Sequence, residues 1–172
     1  KQWGRIELVF VFMYSGKTEE LLKQMHRAKY AKKRFQLFKP VIDDRYSATA
    51  VTSHNQNSLE GVPVHEVWQI LSLVEASTDI VGIDEAQFFT DVVNTLSKVG
   101  KTVWVAGLDT DWKAQPFGPM PKLMAIADRL HKQYAICQVC GDLATRTQRL
   151  VASTEDVLVG ANNMYEARCR VH

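Results

Sequence analysis

Three groups of residues in this chain have the types and spacing for chemistry. The first is Met13-Tyr14-Ser15-Gly16-Lys17-Thr18, which follows the apolar run from Arg5 to Met13 and precedes a stretch of helical periodicity. A strand-to-helix turn ending in Gly-Lys-Thr is a phosphate cradle. Backbone N–H groups of Ser15 and Gly16 and the helix N-terminus face phosphate oxygens, and Lys17 reaches the β- and γ-phosphates. The Thr18 hydroxyl takes Mg²⁺, a hard cation that prefers oxygen. The full pattern places another Gly five residues before Gly16, where this chain has Val11, followed by Phe12. A β-branched residue tolerates positive φ badly, so the loop departs from the strict pattern there. The second group is Asp84-Glu85, which closes the apolar stretch Asp79 to Ile83. An Asp at the carboxyl end of a strand positions Mg²⁺ in phosphoryl-transfer sites, and an adjacent acid can accept a proton from an attacking hydroxyl. Alone, the pair would read as a polar strand cap. With Gly-Lys-Thr upstream, it reads as the second half of a nucleotide site.

The third group is Cys137-Gln138-Val139-Cys140 with Cys169-Arg170-Val171-His172. Each C-x-x-ligand pair puts two donors on one knuckle, and two knuckles make a closed tetrahedral Cys₃His site of the structural Zn²⁺ kind. Gly141 fits the tight turn after Cys140. Three cysteines cannot build a disulfide framework, which fits a reducing, cytoplasmic compartment.

These groups need a scaffold. The 172 residues, 46% apolar and 23% charged, suffice for one compact core with a small appendage. The longest apolar run, Leu8 to Tyr14, is too short to span a bilayer, and no basic stretch with an apolar h-region opens the chain. Neither a membrane protein nor a secreted one is expected. The net charge of +2 speaks against a duplex-DNA binder, and so against the competing reading of a zinc ribbon that grips nucleic acid. Periodicity predicts strands at Arg5–Met13, Arg34–Pro40, Asp79–Ile83, Lys101–Leu108 and Gln133–Cys137. It predicts helices at Lys17–Lys33, His65–Glu75, Phe88–Val99 and Pro121–Leu130, and a loop or weak hairpin over Val41–Pro63. This alternation predicts an α/β fold: a mostly parallel sheet with helices on both faces. After Cys137, short strands (Ala144–Val151, Glu155–Val159, Tyr165–Cys169) predict a small metal-stapled subdomain. The expected division is 1–136 for the nucleotide-binding domain and 137–172 for the zinc subdomain.

Other motifs complete a pattern. They are Phe38-Lys39-Pro40 with Asp43-Asp44-Arg45-Tyr46, Ser53-His54-Asn55, Asp84-Glu85-Ala86-Gln87-Phe88-Phe89, Ala106-Gly107-Leu108-Asp109 and Pro116-Phe117-Gly118. Thr145-Arg146-Thr147-Gln148-Arg149-Leu150 and Val159-Gly160 with Tyr165 follow. In this order, with the two metal knuckles, they make the chain resemble thymidine kinases of the zinc-containing, tetrameric type found in many bacteria and in animal cytosol. The resemblance covers nearly the whole chain. It implies a P-loop (RecA-like) domain closed by a zinc-ribbon and lasso subdomain, and a homotetramer. It also implies transfer of the ATP γ-phosphate to the 5′-hydroxyl of thymidine, a salvage step. By the same resemblance Glu85 matches the catalytic base and Asp84 the Mg²⁺-side acid. Asp43 and Arg45 match residues near the phosphates. Met13, Phe88, Leu108, Trp112, Phe117, Thr147 and Tyr165 match the pocket around thymine, and Gly160 lies in the lasso loop. The family normally has Gly at the position of Val11, so the alternative is a protein of the same fold with weakened nucleotide binding.

Overall fold

A computed structural model describes residues 4–11, 17–41, 50–52, 58–152 and 164–172. Six strands form one all-parallel sheet: β1 (Ile6–Val11), β2 (Phe35–Pro40), β5 (Val62–Val64), β6 (Ile80–Ile83), β7 (Thr102–Leu108) and β8 (Arg129–Gln133), in the order β5-β2-β6-β7-β1-β8. Three two-stranded antiparallel pairs accompany it. They are β3 (Ala50–Thr52) with β4 (Ser58–Glu60), β9 (Ala135–Ile136) with β10 (Leu143–Ala144), and β11 (Arg146–Arg149) with β12 (Tyr165–Arg168). The helices are α1 (Lys17–Tyr30), α2 (Ile70–Leu73), α3 (Val92–Val99) and α4 (Met120–Ile126).

Side chains alternate across a strand, so each sheet face has its own core. Phe38, Val81, Ile83, Val103 and Val105 pack one face against α2, α3 and α4, with Ile70, Val92, Leu96, Met120 and Leu123 buried opposite. Leu37, Trp104 and Ala106 pack the other face against Leu21 of α1. The parallel sheet with helices on both faces is therefore as expected. Helix α1 carries Glu19 and Glu20 in its first turn and Arg27 and Lys29 in its last, complementing the helix dipole. It ends with Lys32 at φ 55°, where the Lys33 amide reaches back to the Ala28 carbonyl (2.9 Å) and the Lys32 amide to the Lys29 carbonyl (3.0 Å). That is a Schellman closure with lysine where glycine is usual.

Several boundaries differ from the periodicity reading. Val62 and Pro63, assigned to a loop or weak hairpin, belong to edge strand β5, while Ala50–Thr52 and Ser58–Glu60 of that segment pair antiparallel, as the hairpin alternative expects. The helix expected over His65–Glu75 shrinks to a 3-10 turn at Val67–Gln69 and one α turn, with Gln69 Oε1 accepting from the His65 and Glu66 amides at 2.9 Å. The helix expected from Phe88 begins at Val92, because Glu85 and Asp91 both take left-handed backbone and leave only a 3-10 turn at Ala86–Phe88. The helix expected to reach Leu130 stops at Ile126; Ala127 is extended, and Asp128 Oδ2 accepts the Ile6 amide at 2.8 Å, which starts β8 beside β1.

Candidate active site and metal centre

Because all six strands run the same way, their carboxyl ends share one rim. β1 ends at this rim at Val11, and α1 starts at Lys17. One strand, β7, separates β1 from β6. At an interstrand spacing of about 4.8 Å, the end of β1 lies roughly 10 Å along the sheet from the end of β6.

β6 delivers Asp84 to the rim. The Asp84 amide donates to the Phe38 carbonyl (2.9 Å), carrying the β2 ladder one residue past the strand. The carboxylate is buried, and its Oδ1 accepts the Glu85 amide at 2.9 Å. Lys39 stands beside it on β2. Burial pushes the Lys39 ammonium below the ordinary lysine value, while the Asp84 charge pulls the other way.

Glu85 adopts φ 53° and ψ 41°, a left-handed conformation rare for a residue with a Cβ. This turns the chain sharply out of the strand and leaves the carboxylate half-buried at the rim. Gln87, itself buried, holds it: Gln87 Nε2 donates to Glu85 Oε2 at 2.5 Å, and Gln87 Oε1 accepts the Leu108 amide at 3.1 Å. One side-chain amide thus ties the acid after β6 to the end of β7. Gly118, at φ 50°, packs so close that a Cβ would lie 2.5 Å from the Gln87 carbonyl oxygen.

The loop after β7 is internally braced. Asp109 is buried and pairs with Lys132 of β8 at 3.1 Å. Asp111 Oδ1 accepts the amides of Lys113 (2.9 Å) and Gln115 (3.0 Å). This fold of the loop sets Phe117 edge-on to Phe88, centroids 5.5 Å apart and planes at 83°. It also brings Trp112 to Arg149, whose guanidinium carbon is 4.1 Å from the Trp112 ring and 5.6 Å from the Tyr165 ring. Thr147 lies two residues before Arg149, on the same face of β11.

Of the residues singled out from the sequence, Glu85 and Leu108 are linked through Gln87, Phe88 meets Phe117, and Trp112 and Tyr165 both face Arg149. Lys17 and Thr18 are the first two residues of α1. Met13, Ser15, Gly16, Asp43, Arg45 and Gly160 lie outside the described residues. Gln87 and Arg149 stand within the motifs of the sequence without a role of their own there. The amide two residues after the acid is a signal for Gln87, whereas the pairing of Arg149 with Tyr165 is visible only in the strand register.

The second centre is sulfur-rich. Cys137, Cys140, Cys169 and His172 offer one ligand atom each, all within 4.8 Å of one another. Cys140 and Cys169 sulfurs are 3.8 Å apart, and Cys169 Sγ is 3.1 Å from His172 Nδ1. Tetrahedral Zn–S bonds of about 2.3 Å require sulfurs about 3.8 Å apart, so the donors fit zinc in type and separation. Gly141, at φ 78°, closes the first knuckle by donating its amide to the Cys137 carbonyl at 2.9 Å. Desolvation raises the thiols of Cys137 and Cys169, but neighbouring amides outweigh it and hold both below the ordinary value; Cys140 lies above.

These features define an α/β protein with an all-parallel main sheet, buried and half-buried acids at the strand ends and an appended Cys₃His knuckle. The family model described as "Thymidine kinase" matches residues 4–172. A curated relative from Bdellovibrio bacteriovorus (strain ATCC 15356 / DSM 50701 / NCIMB 9529 / HD100), named "Thymidine kinase", is 47% identical over 173 residues, covering 98% of this chain and 85% of its own. The chain belongs to the thymidine kinase family. Among the described residues, no helix is long and apolar enough to cross a membrane.

Proposed function

We propose that this chain phosphorylates thymidine with ATP. Glu85 accepts the proton of the 5′-hydroxyl, the freed oxygen forms a bond to the γ-phosphorus, and the bond from that phosphorus to the bridging oxygen breaks to release ADP and thymidine monophosphate. The supporting observation is the Glu85–Gln87–Leu108 chain of hydrogen bonds, which sets a carboxylate at the strand-end rim where β1 also ends. Family membership supplies the substrate class.

Phosphoryl transfer asks chiefly for positioning and charge neutralisation. Ser15, Gly16, Lys17 and Thr18 hold the triphosphate, with Asp43 and Arg45 beside it. Asp84 and Thr18 would hold Mg²⁺, which when bound neutralises charge on the β- and γ-phosphates. Met13, Phe88, Leu108, Trp112, Phe117, Thr147, Gly160 and Tyr165 form the thymine slot, an apolar cleft with few polar contacts. Cys137, Cys140, Cys169 and His172 hold a structural Zn²⁺. The division at 136/137 separates the nucleotide domain from the zinc subdomain, whose β9–β10 pairing draws in Ala135 and Ile136. The working form is a cytoplasmic homotetramer. The weakened-binding alternative gains no support from the family match.

The test is Glu85→Gln, assayed by ADP release and by thymidine binding. Turnover should fall about 10²- to 10⁴-fold with thymidine affinity kept. A fully active variant would remove Glu85 from the role of base.

A further inference from the structure

Arg149 is an arginine in an unusual place: a guanidinium only 6% exposed, at the last residue of β11. Stripping water from such a group is costly, and the surroundings must offset the loss. Two rings and a hydroxyl are among the groups that do so. The guanidinium carbon lies 4.1 Å from the Trp112 ring centroid and 5.6 Å from that of Tyr165. Nη2 donates to the Tyr165 hydroxyl at 3.3 Å. Tyr165 is the direct register partner of Arg149 across the β11–β12 ladder, whereas Trp112 belongs to the loop that follows β7. The Leu150 amide then donates to the Met164 carbonyl at 2.8 Å, so the chain leaves and returns beside this arginine. Trp112 Nε1 is buried and finds no acceptor among the described residues, and the ring that Arg149 meets at 4.1 Å is also approached by Lys113 Nζ at 5.3 Å, from the exposed neighbour in the loop.

We propose that Arg149 is a positioning residue for the nucleoside site, its buried guanidinium fixing the Trp112 ring of the β7 loop against Tyr165 of the β11–β12 pair so that both walls of the base slot are set by one side chain. The inference rests on the thymidine kinase reading. It requires a planar, delocalised cation: a lysine would keep the charge, but not the stacking surface or the fork that reaches the Tyr165 hydroxyl.

The test uses the full-length, zinc-loaded protein with Arg149→Met and Arg149→Lys, measuring KM for thymidine and for ATP separately, with zinc content and thermal midpoint as companions. Losing a desolvated cation–π contact should raise KM for thymidine about ten- to thirtyfold. KM for ATP should stay within about twofold, and the lysine variant should recover less than half of the loss on a logarithmic scale. Trp112→Leu combined with Arg149→Met should cost little more than Trp112→Leu alone, because the arginine acts through the ring. Equal rises in both KM values, full rescue by lysine, additive losses, or a methionine variant that sheds its zinc would each overturn the proposal. The unmodified protein is measured first: if it does not bind thymidine, the kinase reading fails and takes this inference with it, whereas variants that match a thymidine-binding parent sink the inference alone.

Discussion

Around the six-stranded sheet the interior is filled by Phe38, Ile70, Ile83, Met120 and Leu123, each fully buried. Around β9 to β12 it is filled by Ala135, Ala144, Ala167, Cys137 and Cys169. Burying a large apolar side chain contributes about 1.5–3 kcal/mol, whereas an alanine methyl contributes far less. The first region can therefore hold itself together by excluding water. The second cannot, and its four ligand atoms sit where coordination would supply what its core lacks. One chain relies on burial in its sheet and offers a cluster of metal ligands where its strands are short and its core thin.

The largest expected effect is on the second region alone. Removing zinc with a chelator, or changing Cys140→Ser, should abolish amide-exchange protection in β9 to β12 while β2, β6 and β7 keep theirs. Structural zinc in small modules contributes on the order of 10 kcal/mol, far more than alanine packing. Simultaneous loss in both regions would break the comparison. Next in size is Phe38→Ala, which should destabilise the sheet by about 3–5 kcal/mol in a denaturant titration, without changing zinc stoichiometry. The smallest effect sharpens the contrast from the other side. Lys32→Gly relieves left-handed backbone at the end of α1 and should raise the thermal transition of the sheet by an amount corresponding to about 1 kcal/mol, leaving exchange in the knuckle region unchanged.

The same contrast explains what could be read in advance. The knuckles were legible because metal ligation depends on residue type and short spacing, both written in the chain. Strands β1, β6 and β7 were legible because buried parallel strands are continuous apolar runs. β8 was not: Arg129, Leu130, His131 and Lys132 are all exposed on an edge strand, so no run marks them, while Leu123, Met124 and Ile126 carry a helical rhythm toward Leu130. The start of α3 was hidden because the apolar spacing of Phe88, Phe89 and Val92 fits a helix, and only the backbone at Glu85 and Asp91 forbids it. In the site, Asp84 and Glu85 stood out as acids after an apolar strand. Arg149 did not, because a buried cation has the spelling of a surface one, and its ring partner Trp112 lies far away in the chain.

The opposite rim of the sheet also carries acids, and they do other work. Asp79 Oδ2 accepts the Arg34 amide and Asp128 Oδ2 accepts the Ile6 amide, each at 2.8 Å, fastening the segments that enter β2 and β1. Carboxylates at the strand beginnings are clasps for the main chain, whereas those at the strand endings are engaged by side chains and by their own turn: Glu85 by Gln87, Asp109 by Lys132, Asp84 by the Glu85 amide. A protein laid out this way can drift in melting temperature through one edge and in substrate preference through the other, with little traffic between the two.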